Sequence, residues 1–362
     1  MDGRLRVGLV GCGNVGIHLH LPAWAAAADV AEVVAVADPN PESRQAACRI
    51  AGLPEHAAHE DPEQLIARAD VDAVDVCTPP HLRTELLTAA LAAGKHVLCE
   101  KPLAATPAQA EPAVTAATAS GRTLAVVHNY LWLPEIRTAL RVVASGELGE
   151  PELVIVNFLG VPDLPGAAGY RSDWRHDPEL AGGGVLMDML HGVYLAEALL
   201  GASFERVSAH VRSRSGERVE DLALCRFEAA SGAALVNIAW GHGPGGIDVC
   251  GEAGRLSVRY RNGGTPPWAR LEHVLVETNG TPRVELRGTE EDGEGLAPSL
   301  RETFVHVVAD FAAAVRDGRE PASSGADGLR ALEATAAAYE AAARGAVVEL
   351  PERSPYAIAG RP

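Results

Sequence analysis

Glu100-Lys101-Pro102 sets an amine directly after an apolar run in this chain of 362 residues. A lysine at the end of a buried strand can take or give a proton when its surroundings disfavour its charge. On these three residues alone, a surface lysine paired with Glu100 is the preferred reading. Asp188 and His191 stand three apart in a stretch with helical periodicity, so they would share one helix face. Imidazole titrates near neutral pH, which suits removal of a hydroxyl proton, and a carboxylate can orient the ring or bind a neighbouring hydroxyl. A capping aspartate and a satisfied core histidine carry equal weight at this point.

A third constellation binds. Gly11-Cys12-Gly13-Asn14-Val15-Gly16 follows the first strand-like run and opens the first helix-like one. The first glycine allows a tight turn, the second lets backbone approach a pyrophosphate, and the third permits close helix–strand packing. The helix amino end adds free N–H donors and positive dipole. Asp38 ends the second strand-like run, 22 residues beyond Gly16. A carboxylate there accepts from both adenosine ribose hydroxyls and repels a 2′-phosphate, favouring NAD over NADP. Arg44 nearby keeps NADP open, and Asp38 could also be a turn residue before Pro39-Asn40-Pro41.

These groups need a scaffold, and the pattern supplies one. Short apolar runs at 5–10, 33–37, 71–77, 96–99 and 124–127 alternate with helix-like segments at 14–28, 41–51, 62–68, 82–93 and 107–120. Such alternation predicts a parallel sheet covered on both faces, a doubly wound Rossmann domain over residues 1–125. After a helix near 134–145 and a strand at 151–160, a Gly/Pro-rich loop runs over 161–169 and a helix over 184–200. Strand-like runs at 206–211, 222–227, 233–240, 247–249, 255–259 and 271–276 follow without helices between them. They predict a second, α+β domain over 126–350, built on a largely antiparallel open sheet. Two closing helices span 300–344 and would pack back on the first domain.

Composition narrows the function. The net charge of −17 argues against nucleic-acid binding and against adsorption to anionic membranes. No run reaches the roughly 18 apolar residues that span a bilayer. The opening MDGRLRVGLVG lacks the parts of a secretory signal, and the six scattered cysteines form no C-x-x-C pair. Reduced core thiols in a cytoplasmic protein are the expectation. No His/Asp/Glu cluster has metal-ligand spacing on one element, so no metal is expected.

Two longer stretches sharpen the reading. Cys77-Thr78-Pro79-Pro80-His81 is followed by Gly94-Lys95-His96-Val97-Leu98-Cys99-Glu100-Lys101-Pro102-Leu103, and later comes Gly182-Gly183-Gly184-Val185-Leu186-Met187-Asp188-Met189-Leu190-His191. With the glycine loop, the Trp174-Arg175 pair and the closing GRE…SSGADGLRALEA segment, the chain resembles the glucose-fructose oxidoreductase / inositol dehydrogenase / rhizopine-catabolism (Gfo/Idh/MocA) family over nearly its whole length. The resemblance implies hydride exchange between a nicotinamide and a secondary alcohol or ketone carbon of a sugar, amino sugar or cyclitol. It implies Lys101, Asp188 and His191 as catalytic residues that also touch substrate, with Glu100 positioning the lysine or the carboxamide. It also implies a Lys101–Pro102 peptide that is often cis, and a homodimer or homotetramer formed through the second sheet. Thr78, Pro79, His81, Trp174 and Arg175 would border the cofactor; Asn129 and Tyr130, ending a strand, would line the cleft toward cofactor and substrate respectively. His18, His20 and Pro22 would pack.

Three departures stand out. The family spaces its aspartate and histidine i to i+4, against i to i+3 here. Arg83 replaces a common histidine, and Asn129-Tyr130-Leu131 replaces N-Y-R. Two alternatives remain: an eliminase or glycosidase using transient oxidation, and a non-catalytic dinucleotide-binding protein.

Overall fold

The computed structural model describes residues 3–163, 173–241, 243–266, 268–288 and 298–352. Six strands, β1 (Leu5–Val10), β2 (Ala31–Ala37), β3 (Ala58–His59), β4 (Ala73–Val76), β5 (His96–Cys99) and β6 (Leu124–Val126), form a parallel sheet in the order β3-β2-β1-β4-β5-β6. Chain order reverses between β1 and β4, where a doubly wound sheet opens a crevice at its carboxyl edge. Val7, Leu9, Val36, Val74 and Leu98 are buried, as strands covered on both faces must be.

The first helix is not the regular one expected over 14–28. A π-helical turn spans Gly16–His20 and an α-helix only Leu21–Ala26. Pro22 has no N–H to give the carbonyl four residues back and its ring crowds that carbonyl, which widens the preceding turn.

Nine further strands build the second sheet: β7 (Pro151–Val161), β8 (Arg206–Arg212), β9 (Leu222–Ala229), β10 (Gly232–Trp240), β11 (Gly245–Gly251), β12 (Gly254–Tyr260), β13 (Leu271–Thr278), β14 (Thr281–Arg287) and β15 (Val348–Glu349). Their order is β14-β13-β12-β11-β7-β10-β9-β8-β15, antiparallel except for the parallel pair β7–β10. Val154, Val156 and Phe158 of β7 and Val236 and Ile238 of β10 face inward, against the wholly buried helix His191–Leu200. Leu153, Ile155 and Leu235, on the opposite face, are half-buried.

The chain pattern did not announce β3, β14 or β15. β14 carries Pro282, Arg283 and Arg287 and lies exposed at the sheet edge, so it has no apolar run to read. Most of the loop expected at 161–169 falls outside the described residues. The six cysteines are unbridged, with Cys12, Cys48, Cys99 and Cys225 buried. Among the described residues, no single helix is long and apolar enough to cross a membrane.

Candidate active site

The glycine loop begins where β1 ends. Gly11 has φ +94°, and a Cβ there would come within 2.8 Å of the Cys77 carbonyl carbon and 2.9 Å of the Thr78 nitrogen. Any side chain would therefore push the loops after β1 and β4 apart. The Gly11 N–H donates to the Ala37 carbonyl at 2.8 Å, and the Asp38 carboxylate accepts from the Cys12 N–H at 2.7 Å and the Asn40 N–H at 2.8 Å. Asp38 thus braces the loop as well as standing at the end of β2. Arg44 donates to the Asp38 and Pro39 carbonyls at 2.6 and 3.0 Å, which holds the guanidinium on that turn.

Three observations fit a dinucleotide here: a loop that admits no Cβ at Gly11, a carboxylate at the end of β2, and two orphaned buried atoms. Thr78 Oγ1 and His81 Nδ1 lack hydrogen-bond partners, as expected of groups that face a ligand.

One strand over, Glu100-Lys101-Pro102 follows β5, with a cis Lys101–Pro102 bond. The Lys101 Nζ donates to the Asp188 carbonyl at 2.6 Å and lies 3.7 Å from the Asp188 carboxylate. Burial, opposed by Asp188 and Glu100 and aided by Arg175, lowers the Lys101 amine below the ordinary lysine range. Burial pulls the Asp188 carboxyl upward, but Arg175 and then Lys101 hold it below the usual carboxylate range. The Arg175 guanidinium donates directly to that carboxylate. Trp174 and Arg175 share a small cavity with Lys101, Pro102, Met187 and Asp188.

Asp188 and His191 do not share a continuous helix. One short helix spans Val185–Asp188 and the next begins at His191, and the segment Pro178–Asp188 is bent by 48° from His191–Leu200. The triple glycine before them is squeezed on each side. A Cβ on Gly182 would lie 2.2 Å from the Ala105 carbonyl oxygen, on Gly183 2.1 Å from the Tyr339 hydroxyl, and on Gly184 2.2 Å from the Glu220 carbonyl oxygen. Glu220 then fixes the short helix, accepting from the Gly184 and Leu186 N–H groups at 2.9 Å each and from the Tyr339 hydroxyl at 2.8 Å.

His191 is buried against the Tyr130 ring, with centroids 3.9 Å apart and planes 14° from parallel, and its Nδ1 meets the Tyr194 hydroxyl at 2.7 Å. Burial, reinforced by Lys101 and His128, drives His191 well below an ordinary imidazole. A base titrating near neutrality, expected from residue type, is therefore not what the structure holds. The Tyr130 hydroxyl donates to the Pro266 carbonyl at 3.3 Å and its ring supports His191. Asn129 gives its amide N–H to Thr303 at 3.2 Å, a contact with the helix Pro298–Asp317.

Four residues escaped sequence reasoning. Arg83, read only as a departure, is buried and donates to the carbonyls of Thr78, Glu100 and Pro102, so it clamps the loops after β4 and β5 together. Glu220 acts across a long sequence separation and left no local signal, whereas Tyr194 stands only three residues after His191 on the same helix. Asp75, buried in β4, had one faint signal: a lone carboxylate inside an apolar run.

A dinucleotide cradle on a parallel sheet, facing a half-buried lysine–aspartate pair carried partly by a second domain, defines a two-domain oxidoreductase. Residues 5–128 match the model of the oxidoreductase family with an NAD-binding Rossmann fold, GFO_IDH_MocA, and residues 136–257 match the C-terminal domain model of the same family. The chain is 31% identical to dTDP-3,4-didehydro-2,6-dideoxy-alpha-D-glucose 3-reductase of Saccharopolyspora spinosa over 92% of this chain and 95% of that one. It is 28% identical to levoglucosan dehydrogenase of Pseudarthrobacter phenanthrenivorans over 97% and 99%. The crystal structure of aldose-aldose oxidoreductase from Caulobacter crescentus superposes with a TM-score of 0.80 at 25% identity, over 96% of this chain and 100% of that one. The chain belongs to the GFO/IDH/MocA family of oxidoreductases.

Proposed function

We propose that the protein uses NAD, in preference to NADP, to interconvert a secondary alcohol and a ketone on a sugar, amino sugar or cyclitol. The observation that carries this reading is the Lys101 amine, 2.6 Å from the Asp188 carbonyl and lowered toward neutrality, beside the loops after β1 and β4. Gly11, Gly13, Asn14, Val15 and Gly16 would cradle the pyrophosphate, Asp38 the adenosine ribose, and Thr78, Pro79 and His81 the path between them. Bound NAD supplies hydride exchange at the carbinol carbon.

The chain's own residues handle the rest. A neutral Lys101 amine takes the hydroxyl proton during oxidation, and its ammonium form returns it during reduction. Asp188, kept ionised by Arg175, accepts a hydrogen bond from an adjacent substrate hydroxyl and so orients the ring. His191 stays neutral, and Tyr194 occupies its Nδ1, so Nε2 is the nitrogen that would meet substrate. Glu100 positions the lysine, and Trp174 and Arg175 wall the cleft.

We read the domains as 1–125 and 126–350 and place the protein in the cytoplasm. The half-buried Leu153, Ile155 and Leu235 support assembly into a homodimer or homotetramer through the outward sheet face. The test is NADH absorbance with NAD or NADP against a panel of inositols, aldoses, amino sugars and levoglucosan. Turnover with NAD on at least one polyol is expected. Failure to bind either dinucleotide in calorimetry would sink the reading.

A further inference from the structure

Beneath the Glu100-Lys101-Pro102 turn lies a buried chain of polar groups that neither the cofactor cradle nor the Lys101–Asp188 pair requires. His20, at the end of the π-helical turn after the glycine loop, is completely buried. Its Nδ1 is 2.8 Å from the Asp75 carboxylate and its Nε2 is 3.0 Å from the Glu100 carboxylate. Where both carboxylates are ionised they only accept, so both ring nitrogens donate and the ring is an imidazolium. Asp75 also accepts from the Trp24 indole at 2.7 Å and the Cys77 thiol at 3.7 Å. The second Glu100 oxygen accepts the Lys101 backbone N–H at 3.0 Å.

Stability alone gives little reason for this arrangement. Replacing buried ion pairs by well-packed apolar side chains is often neutral or stabilising. What the arrangement does supply is connection: one run of hydrogen bonds joins the helix after the glycine loop to the backbone of the lysine.

We propose that His20, held as an imidazolium between Asp75 and Glu100, is a positioning residue that fixes the Lys101 backbone and sets the charge the Lys101 amine feels. This deepens the reading of Lys101 as the proton-handling group and rests on it. Burial opposes the His20 charge, yet Asp75 above all raises the ring well above an ordinary imidazole. Burial likewise opposes ionisation of Glu100, but the His20 hydrogen bond holds its carboxyl below the usual range. The groups facing His20 are Asp75, Cys77 and Glu100, with the Trp24 indole and the edge of the Phe304 ring from the helix Pro298–Asp317. Those facing Lys101 are Asp188, Glu100, Arg175 and Arg83.

The experiment exploits composition: Lys95 and Lys101 are the only lysines in the chain. In protein with 15N-labelled histidine and NAD bound, both His20 ring nitrogens should remain protonated at pH 8.5; a neutral ring there would overturn the proposal. In His20→Gln the amide still hydrogen-bonds but the positive charge is gone. Lys101, followed by pH-dependent competitive labelling, should then titrate about one unit higher. Lys95, which donates to the Arg68 and Val71 carbonyls at the opposite sheet edge, should not move. Glu100→Gln should shift Lys101 downward, and opposite shifts from two folded variants are not what a merely structural role produces. An unmoved Lys101 in a His20→Gln protein that still binds NADH refutes the coupling. Should neither variant fold, the histidine spectrum of the unaltered protein decides. Full turnover in Lys101→Met would instead remove the proton-handling reading and leave the His20–Lys101 coupling to stand on its titration.

Discussion

Replacing Lys101 by methionine removes the amine while keeping an unbranched side chain of similar length. The lost contacts are the 2.6 Å bond to the Asp188 carbonyl and the 3.7 Å ion pair with its carboxylate. Asp188 keeps Arg175, and Glu100 still accepts the residue-101 backbone N–H, so the fold loses little. The expected damage falls on proton transfer, where a positioned group contributes roughly 10²–10⁴ in rate. At 1.36 kcal/mol per tenfold, that amounts to about 3–5 kcal/mol of transition-state stabilisation. Steady-state NADH absorbance should therefore show kcat reduced by that factor, while fluorescence titration shows NADH affinity within about threefold. Lys101→Arg separates charge from proton transfer, because arginine keeps a cation yet cannot release its proton. It should fail almost as badly as methionine. In the wild type, oxidation should rise with pH through a limb below the ordinary lysine range, following the lowered amine, and reduction should run the opposite way. Wild-type turnover in Lys101→Arg would refute the assignment, since the cation alone would then suffice.

Three further outcomes follow from the geometry. Asp38→Ser removes a charged acceptor from the Cys12 and Asn40 N–H groups, so NADH affinity should fall roughly ten- to hundredfold while NADPH gains relative to NADH, both read by fluorescence titration. Glu220→Ala strands the Gly184 and Leu186 N–H groups, so chemical denaturation should show a loss of about 3 kcal/mol, with kcat falling as the Asp188 helix loosens. Burial, with Arg330 and Lys101, pushes His128 down to about 3, so the unfolded chain takes a proton below about pH 6.5 that the folded chain refuses. Stability is then lost as pH falls, and His128→Gln should shrink the loss between pH 7 and 5 by about 2 kcal/mol; an unchanged pH dependence would contradict the sign.

How legible the site was depends on where each constraint lives. The Gly11–Gly16 loop and Asp38 could be read directly because turn geometry and strand ends are local. The break between Asp188 and His191 could not. Val185–Leu186–Met187 and the whole helix His191–Leu200, His191 and Glu197 included, are buried, so no solvent-facing polar stripe marks where the bend falls. His20 was read as packing because its partners, Asp75 and Glu100, lie 55 and 80 residues away. Arg83 looked like a lost histidine, yet its reach to three carbonyls in two loops is a property of the assembled crevice.

The charges around Lys101 divide the labour among residues that composition alone would treat as interchangeable. Arg83 and Arg175 are cations that cannot give up a proton near neutral pH. Asp188 and Glu100 are held below the usual carboxylate range against burial, so they stay anionic. His128 and His191 are driven the other way and stay neutral. The remaining group, Lys101, is moved toward the working range by burial while two carboxylates restrain the shift. Arg175, Asp188, Glu100, His128 and His191 are each shifted away from titration near neutrality, whereas Lys101 is lowered toward it. That asymmetry, more than any one contact, is the physical reason to assign the mobile proton to Lys101 and orientation to its neighbours.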